Sequence, residues 1–494
     1  MRHPRRHLAT FALALLLILT SVFMLERDRA GLVIRDFSVG VTPVTLYEQP
    51  GATGPAVVIA HGFAGSRQIM QAYSLRLAQA GYRVLAFDCE GHGRNPQPMR
   101  GDVTKIDGTT VFLVAEVRRV IEAARALPGV TGVSLLGHSM ATDILVRAAN
   151  QEAAAGHPVD AVVAISMFSQ AVTATEPPRL LVISGEWEGG LRGFALNYLH
   201  QVDPTKAEGE LAKAGPVARM AVVAPHVEHV GVLYSPTAVV AARDWLDATY
   251  TRVSTGEVSS MGVWILVLLI GLVLAVHPLA VLQAKRADPA PVPVGRFLLA
   301  SILPAVIVPV VLTRFRIDFL PVLVADYLMV HLACYGLLQI TLLRGWRTLK
   351  DGLSLTPVVL FLIWGLGVFG LALDRYAASY WPSPERLLLI AVLAFGTVPA
   401  LIADAQLTEA GHAKLWRRIV GRVFLFGSFA LAAALDFDRL MFLLIALPLL
   451  LLFFFVHGLM GRWIARRSGA TVAGLGLGLC LAWVLGVCFP LFSP

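Results

Sequence analysis

Charge is scarce in this chain. Only 15% of its 494 residues are Asp, Glu, Lys or Arg, and 56% are hydrophobic. An ordinary soluble domain carries about 25% charged residues, so the shortfall argues against a wholly soluble protein. Cysteine is scarce too. Cys89 stands alone in the more polar stretch 31–255, and Cys334, Cys480 and Cys488 lie in apolar stretches. A disulfide framework inside 31–255 is therefore excluded, and an oxidising compartment is neither required nor ruled out. No Cys/His spacing of metal-binding type occurs, and no metal or cofactor is expected. Basic patches interleaved with aromatics are also missing, which argues against nucleic-acid binding. The net charge of +8 instead comes largely from short loops between apolar runs, as the positive-inside rule describes.

What is present divides by solvent preference. Residues 1–30 hold Arg2, Arg5 and Arg6 and then an apolar run from Leu8 to Leu25. The run is long for a secretory h-region, and Ser21-Val-Phe-Met is no A-x-A cleavage site. It reads as a retained signal anchor with a cleaved signal peptide as the alternative. Residues 31–250 resemble a soluble domain, 251–261 a polar linker, and 262–494 a polytopic helical domain. Apolar segments fall near 262–282, 295–313, 319–343, 355–373, 387–405, 420–435, 440–460 and 470–491, and a span needs about 20 residues. The segment 420–435 is short by that measure.

Loop charge gives an independent count. Arg286 and Arg296, Arg344 and Arg347, Arg417 and Arg418, and Arg466 and Arg467 mark alternate loops, while the others are poorer in Lys and Arg and richer in acids: Arg314 with Asp318, Asp374 with Arg375, and Asp436 with Asp438. Nine spans follow, with the N-terminus on the cytoplasmic side and the C-terminus and residues 31–255 outside. The expected location is a multi-pass cell membrane. Within the apolar segments, Asp326, His331, Asp404, His277 and His457 read either as a polar path or as helix-to-helix hydrogen bonding. The glycines at 469, 474, 476 and 478 suit close helix packing.

Residues 55–250 alternate short apolar runs with amphipathic stretches. Pro55–Ala60, Arg83–Phe87, Val133–Leu136, Ala161–Ile165, Arg179–Gly185 and Met220–Ala224 suit strands buried on both faces. Helical spacing lies between them, which predicts a mainly parallel sheet. Such sheets present their chemistry at the carboxyl ends of the strands, where His61, Asp88, Ser139, Glu188 and His229 fall.

Gly137-His138-Ser139-Met140-Ala141 sits between a predicted strand and a predicted helix, the context of a nucleophile elbow. Ala141 stands where a fifth-position glycine is usual. Together with His61-Gly62-Phe63-Ala64-Gly65 and Asp88-Cys-Glu-Gly91-His92-Gly93-Arg94, this elbow resembles the α/β-hydrolase superfamily, and within it the serine aminopeptidase and monoacylglycerol lipase-like branch. The resemblance covers about 32–250.

The resemblance implies an α/β-hydrolase fold and the chain order Ser, acid, His. Ser139 would be the nucleophile, His229 the base with His226 as competitor, and Glu188 the acid with Glu186 as competitor. The backbone N–H groups of Met140 and Phe63 would hold the oxyanion, and His92 would brace loops. Relatives often insert a cap after the strand ending near Met167, but only Phe168–Pro178 stand there, too short for a lid. The expected site is open or covered by the membrane surface or by extracytoplasmic loops. The implied activity is hydrolysis of an ester, or of an amide or peptide bond, in a small-molecule or lipid-like substrate met at membrane lipids. Acyl transfer through the same residues, and a transporter or scaffold with an inactive hydrolase-like domain, are the alternatives.

Overall fold

The structure is a computed structural model that describes residues 4–103, 105, 107–254 and 260–493. Arg2 and much of the expected linker, 255–259, lie outside the described residues. The chain divides into two compact units. One comprises Ser21–Leu266 with Leu373–Trp381 and Pro490–Pro494, and the other Met1–Thr20, Val267–Ala372 and Pro382–Phe489.

After a first helix, α1 (Pro4–Arg27), nine strands form one sheet: β1 (Val33–Val39), β2 (Thr42–Glu48), β3 (Gly54–Ala60), β4 (Arg83–Phe87), β5 (Val130–His138), β6 (Val162–Ile165), β7 (Arg179–Gly185), β8 (Leu211–Ala214) and β9 (Val217–Ala224). Their order is β1-β2-β4-β3-β5-β6-β7-β9-β8. All six runs read as strands from sequence form the parallel centre, β4-β3-β5-β6-β7-β9. Helices α2 (Gln71–Gln79), α3 (Thr109–Arg125), α4 (Met140–Ala154), α5 (Gly189–His200) and α6 (Pro236–Thr249) lie between or after these strands.

Three strands and α5 had no sequence signal. β1 and β8 are edge strands, half solvated, and pair antiparallel with β2 and β9. Without a second buried face they need no continuous apolar run. The connection from β6 to β7, residues 166–178, contains no helix or strand and hence no cap between these two strands.

In the helical unit, sequence and structure agree on segment number and differ on ends. Among the described residues, nine helices of the whole chain are long and apolar enough to cross a membrane. The segment expected at 319–343 is helical only over Ala325–Leu343. Pro321 and a left-handed Val324 (φ 56°) precede it. The short segment 420–435 lengthens to Leu415–Leu435, because Arg417, Arg418 and Arg422 are helical rather than in a loop.

The loops of this unit gather in two sets. Val292 N–H and the Arg417 guanidinium both bind Glu409 Oε1, at 2.9 and 2.6 Å. Gln406 Nε2 donates to Gly345 O at 3.1 Å, and Arg286 N–H to Arg467 O at 2.9 Å. These contacts join the basic loops to one another. Arg439, from the other set, donates to Thr313 O and Phe315 O at 2.9 and 3.2 Å.

Among the acids and histidines of the apolar helices, Asp326, His331 and Asp404 have local hydrogen-bond partners, while His277 and His457 pack against aromatic rings. Asp326 stands in the first turn of its helix and accepts the N–H groups of Phe319 and Leu320 at 2.8 and 3.1 Å. His331 meets Ser428 of another helix at 2.9 Å, and Asp404 pairs with Arg422 at 3.3 Å. The His331–Ser428 and Asp404–Arg422 contacts match helix-to-helix bonding, and Asp326 holds the segment that precedes its own helix. A Cβ at Gly474 or Gly478 would strike the backbone of Ile402 or Val398, so these glycines set helix separation.

Candidate active site

β3 and β5 lie side by side, with Ala60 opposite Gly137. The turn after β3 and the turn after β5 are therefore neighbours at the carboxyl edge. A Cβ on Gly62 would stand 2.9 Å from His138 Nδ1 and 3.0 Å from Ser139 Cβ. Glycine is the residue that lets the first turn come this close to the second.

Ser139 joins β5 to α4 with φ 54° and ψ −120°. A non-glycine residue in that region is strained, and such residues cluster at active sites. The turn is crowded: a Cβ on Gly137 would meet Leu145 Cδ1 at 2.5 Å and Ala141 Cβ at 3.1 Å. Ala141 is fully buried, so the fifth position of this elbow is filled by the smallest side chain there is.

His229 Nε2 lies 2.9 Å from Ser139 Oγ, and its Nδ1 lies 2.6 Å from Glu188 Oε1. The carboxylate sits on the right nitrogen to hold the tautomer in which Nδ1 carries the proton and Nε2 accepts from the hydroxyl. Glu188 Oε2 in turn accepts the Gly185 N–H at 2.6 Å and the Ser166 hydroxyl at 2.8 Å. Burial alone would raise the Glu188 pKa. The hydrogen bonds from His229, Gly185 and Ser166 outweigh it and leave the group below its ordinary value.

The two competitors meet each other instead. His226 Nδ1 lies 3.2 Å from Glu186 Oε2, and the His226 side chain is 85% exposed. Neither Glu186 nor His226 is hydrogen-bonded to Ser139, whereas Glu188 and His229 form the chain of bonds just described.

Met140 is the first residue of α4, so its N–H belongs to a helical first turn and has no partner within the helix. Phe63 lies in the Gly62 turn beside it. The helix N-terminus adds partial positive charge at the Ser139 Oγ end.

The other strand-end residues hold loops. His61 is buried; its Nδ1 donates to Gly62 O at 2.8 Å and its Nε2 accepts the Cys89 N–H at 3.1 Å. Burial lowers its pKa, which keeps it neutral. Asp88, also buried, pairs with the Arg67 guanidinium and accepts the N–H groups of Arg67 and Arg94 at 2.8 and 3.0 Å. His92 packs against the His61 ring at 5.1 Å and the Phe63 ring at 5.6 Å, a bracing position.

Two contributors had gone unread in the sequence. Ser166 ends the run Ala161–Ile165, and its position at a strand end was a signal of the kind that marked Ser139. His138, inside the elbow, places Nε2 2.8 Å from the His229 carbonyl. Nothing in the sequence marked that contact.

Two remote segments also reach this unit. Arg94 Nη2 donates to Asp374 at 2.6 Å, and the Ser379 N–H to Ser66 Oγ at 2.9 Å. Leu491 and Ser493 exchange backbone bonds with Gly91 and Met99, at 2.8–2.9 Å. They clasp the loops after β3 and β4, while the His229 side chain remains 41% exposed.

Residues 55–197 match the alpha/beta hydrolase fold family. An epoxide hydrolase of Caballeronia sordidicola is 29% identical over 65 residues, 13% of this chain and 20% of the relative. The chain thus matches about a fifth of that relative's length. Among solved structures, an epoxide hydrolase from an endophytic Streptomyces is 28% identical, with 28% of this chain and 38% of that one covered and a TM-score of 0.23. A dienelactone hydrolase from Anabaena variabilis is 17% identical, with 46% and 100% covered and a TM-score of 0.32. With its six-stranded parallel centre, its strand-to-helix elbow and this family match, the chain carries an α/β-hydrolase domain.

Proposed function

We propose that this chain is a multi-pass membrane serine hydrolase that cleaves an ester bond through an acyl-enzyme. The observation that carries the reading is the run of two hydrogen bonds, Ser139 to His229 and His229 to Glu188, beginning at a strained elbow.

Ser139 Oγ attacks the carbonyl carbon while His229 Nε2 takes its proton. The tetrahedral oxyanion rests on the N–H groups of Met140 and Phe63. His229 then gives the proton to the departing alcohol, leaving an ester on Ser139. Water, deprotonated by His229, attacks that ester, and the acid leaves as Ser139 recovers its proton. Glu188 holds the imidazole and stabilises its charged form.

A substrate with an apolar portion is supported by the side chains around the three residues. Trp187, next to Glu188, is 66% exposed, and Phe168, Phe194 and Val230 are exposed as well. Phe168 and Phe194 stack edge to face at 4.9 Å. Exposed apolar groups gathered at a site favour an apolar partner.

The nine-span reading puts residues 31–255, the Asp374 loop and the C-terminus on one side of the membrane. These same three segments form one compact unit, which supports that topology and an extracytoplasmic site.

The test is labelling of purified membranes with a fluorophosphonate probe. Wild type is expected to label, and Ser139→Ala and His229→Ala to lose the label. Absence of labelling in well-folded wild type, or its persistence in Ser139→Ala, overturns the assignment.

A further inference from the structure

The basic loops of the helical unit do more than point the same way. They converge on a cavity of about 500 Å³, a size that suits a small ligand. Arg296, Arg344, Arg347, Arg466 and Arg467 all line it. Among the described lining residues Glu409 is the sole carboxylate, and it is engaged by Arg417 and by the Val292 N–H, while Asp288 beside the wall pairs with Lys285 and His412.

Two of these guanidiniums are held by backbone carbonyls. Arg466 Nε donates to Gly411 O at 3.0 Å. Arg467 donates to Gln283 O at 3.1 Å and to Val281 O at 2.9 Å. Carbonyl acceptors fix the direction of each guanidinium and cancel none of its charge. Two long helices also begin at the wall, Val294–Leu312 after Pro293 and Ala470–Cys488 after Gly469, and neither has a side-chain cap. Their first-turn N–H groups add the same sign of potential. Pro289, Pro291 and Pro293 stiffen the covering loop.

A topological signal needs only Lys or Arg somewhere in the loop. It does not need six arginines gathered around one cavity, two of them held by backbone carbonyls. Arginine is the residue whose planar fork matches phosphate oxygens two at a time. We propose that this cavity binds a phosphate-bearing anion, in which the phosphate group offsets the mutual repulsion of the six lining arginines, Arg286 included. The group belongs either to an anionic lipid headgroup, a known kind of ligand for basic pockets between membrane helices, or to a soluble phosphoester.

The test uses the full chain in two arms. In one, calorimetry follows inorganic pyrophosphate binding to protein in phosphatidylcholine nanodiscs. In the other, native mass spectrometry compares retained phosphatidylglycerol and phosphatidylcholine after extraction from mixed vesicles. Wild type is compared with Arg296→Gln/Arg347→Gln, whose changes face the cavity, and with Arg5→Gln/Arg6→Gln, which removes the same charge elsewhere.

Saturable pyrophosphate binding, at least about tenfold weaker in the cavity variant alone, supports a soluble phosphoester. Preferential retention of phosphatidylglycerol, lost in the cavity variant alone, supports a lipid headgroup. Neither behaviour in wild type, or equal loss in both variants, overturns the site and leaves the arginines a topological role. Elution as a single species checks folding, and Arg347→Gln alone replaces the double variant should that one aggregate.

Discussion

His138 Nε2 lies 2.8 Å from the backbone carbonyl oxygen of His229. The residue before Ser139 thus holds the loop that carries His229, and the two imidazole rings sit 4.8 Å apart. Burial, together with the neighbouring His229 ring, pushes the His138 pKa down to about 4. Near neutral pH it is uncharged, and its Nε2–H donates to that carbonyl.

Replacing His138 therefore disturbs the position of His229 without touching the reacting atoms. His138→Ala is expected to slow fluorophosphonate labelling by about tenfold, since small misplacements of a catalytic group are costly. His138→Gln, which keeps a donor, is expected to recover part of the rate. Equal rates for all three proteins would show that the contact does no positioning.

Ser166 acts one step further back, on Glu188. Ser166→Ala removes a donor from the Glu188 carboxylate, and hydrogen bonds to charged groups contribute about 1.5–3 kcal/mol. Because Glu188 titrates below its ordinary value, its contribution to stability is present above the ordinary carboxylate range. It is lost as pH falls through the lowered folded value. The thermal midpoint of the variant is thus expected to fall below wild type at pH 7, with the gap narrowing in acid. A gap that widens in acid would contradict the assignment of Ser166 as donor to an ionised Glu188.

The buried Arg67–Asp88 pair anchors the loop after β3. Breaking a buried pair costs about 3–5 kcal/mol when the remaining charge is left alone, and here Arg67 keeps Asp36 at 3.6 Å and Thr45 Oγ1 at 2.7 Å, which places the cost toward the lower end. Asp88→Asn is expected to lower the unfolding midpoint markedly and to slow labelling of Ser139, because the Phe63 turn loses its support. Unchanged stability would mean that Arg67 finds another acceptor.

The contacts of the remote segments predict a coupling. Arg94→Ala and Asp374→Ala are expected to be non-additive by about 0.5–3 kcal/mol in a double-mutant cycle of stability. Deleting residues 490–494 is expected to speed proteolysis within 89–103, since Gly91 and Met99 lose their backbone partners. Additive effects and unchanged cleavage would show both contacts to be incidental.

The sequence by itself determined the parallel centre of the sheet, the number of apolar helices and the shortlist of chemical residues. Each is written in local pattern: runs buried on both faces, segments of membrane length, and a small-residue turn between strand and helix. Tertiary structure separates neighbours in the shortlist by their contacts. Glu186 and Glu188 stand two residues apart, as His226 and His229 stand three apart, and no local pattern separates them. The paths of the chain after β7 and β9 bring Glu188 and His229 to Ser139 and turn Glu186 and His226 toward each other at the surface. The edge strands, the bond from Ser166 to Glu188 and the clasp of Asp374 and Leu491 on the loops after β3 and β4 were likewise closed to sequence. They depend on contacts between residues far apart in the chain, whose partners only the folded arrangement supplies.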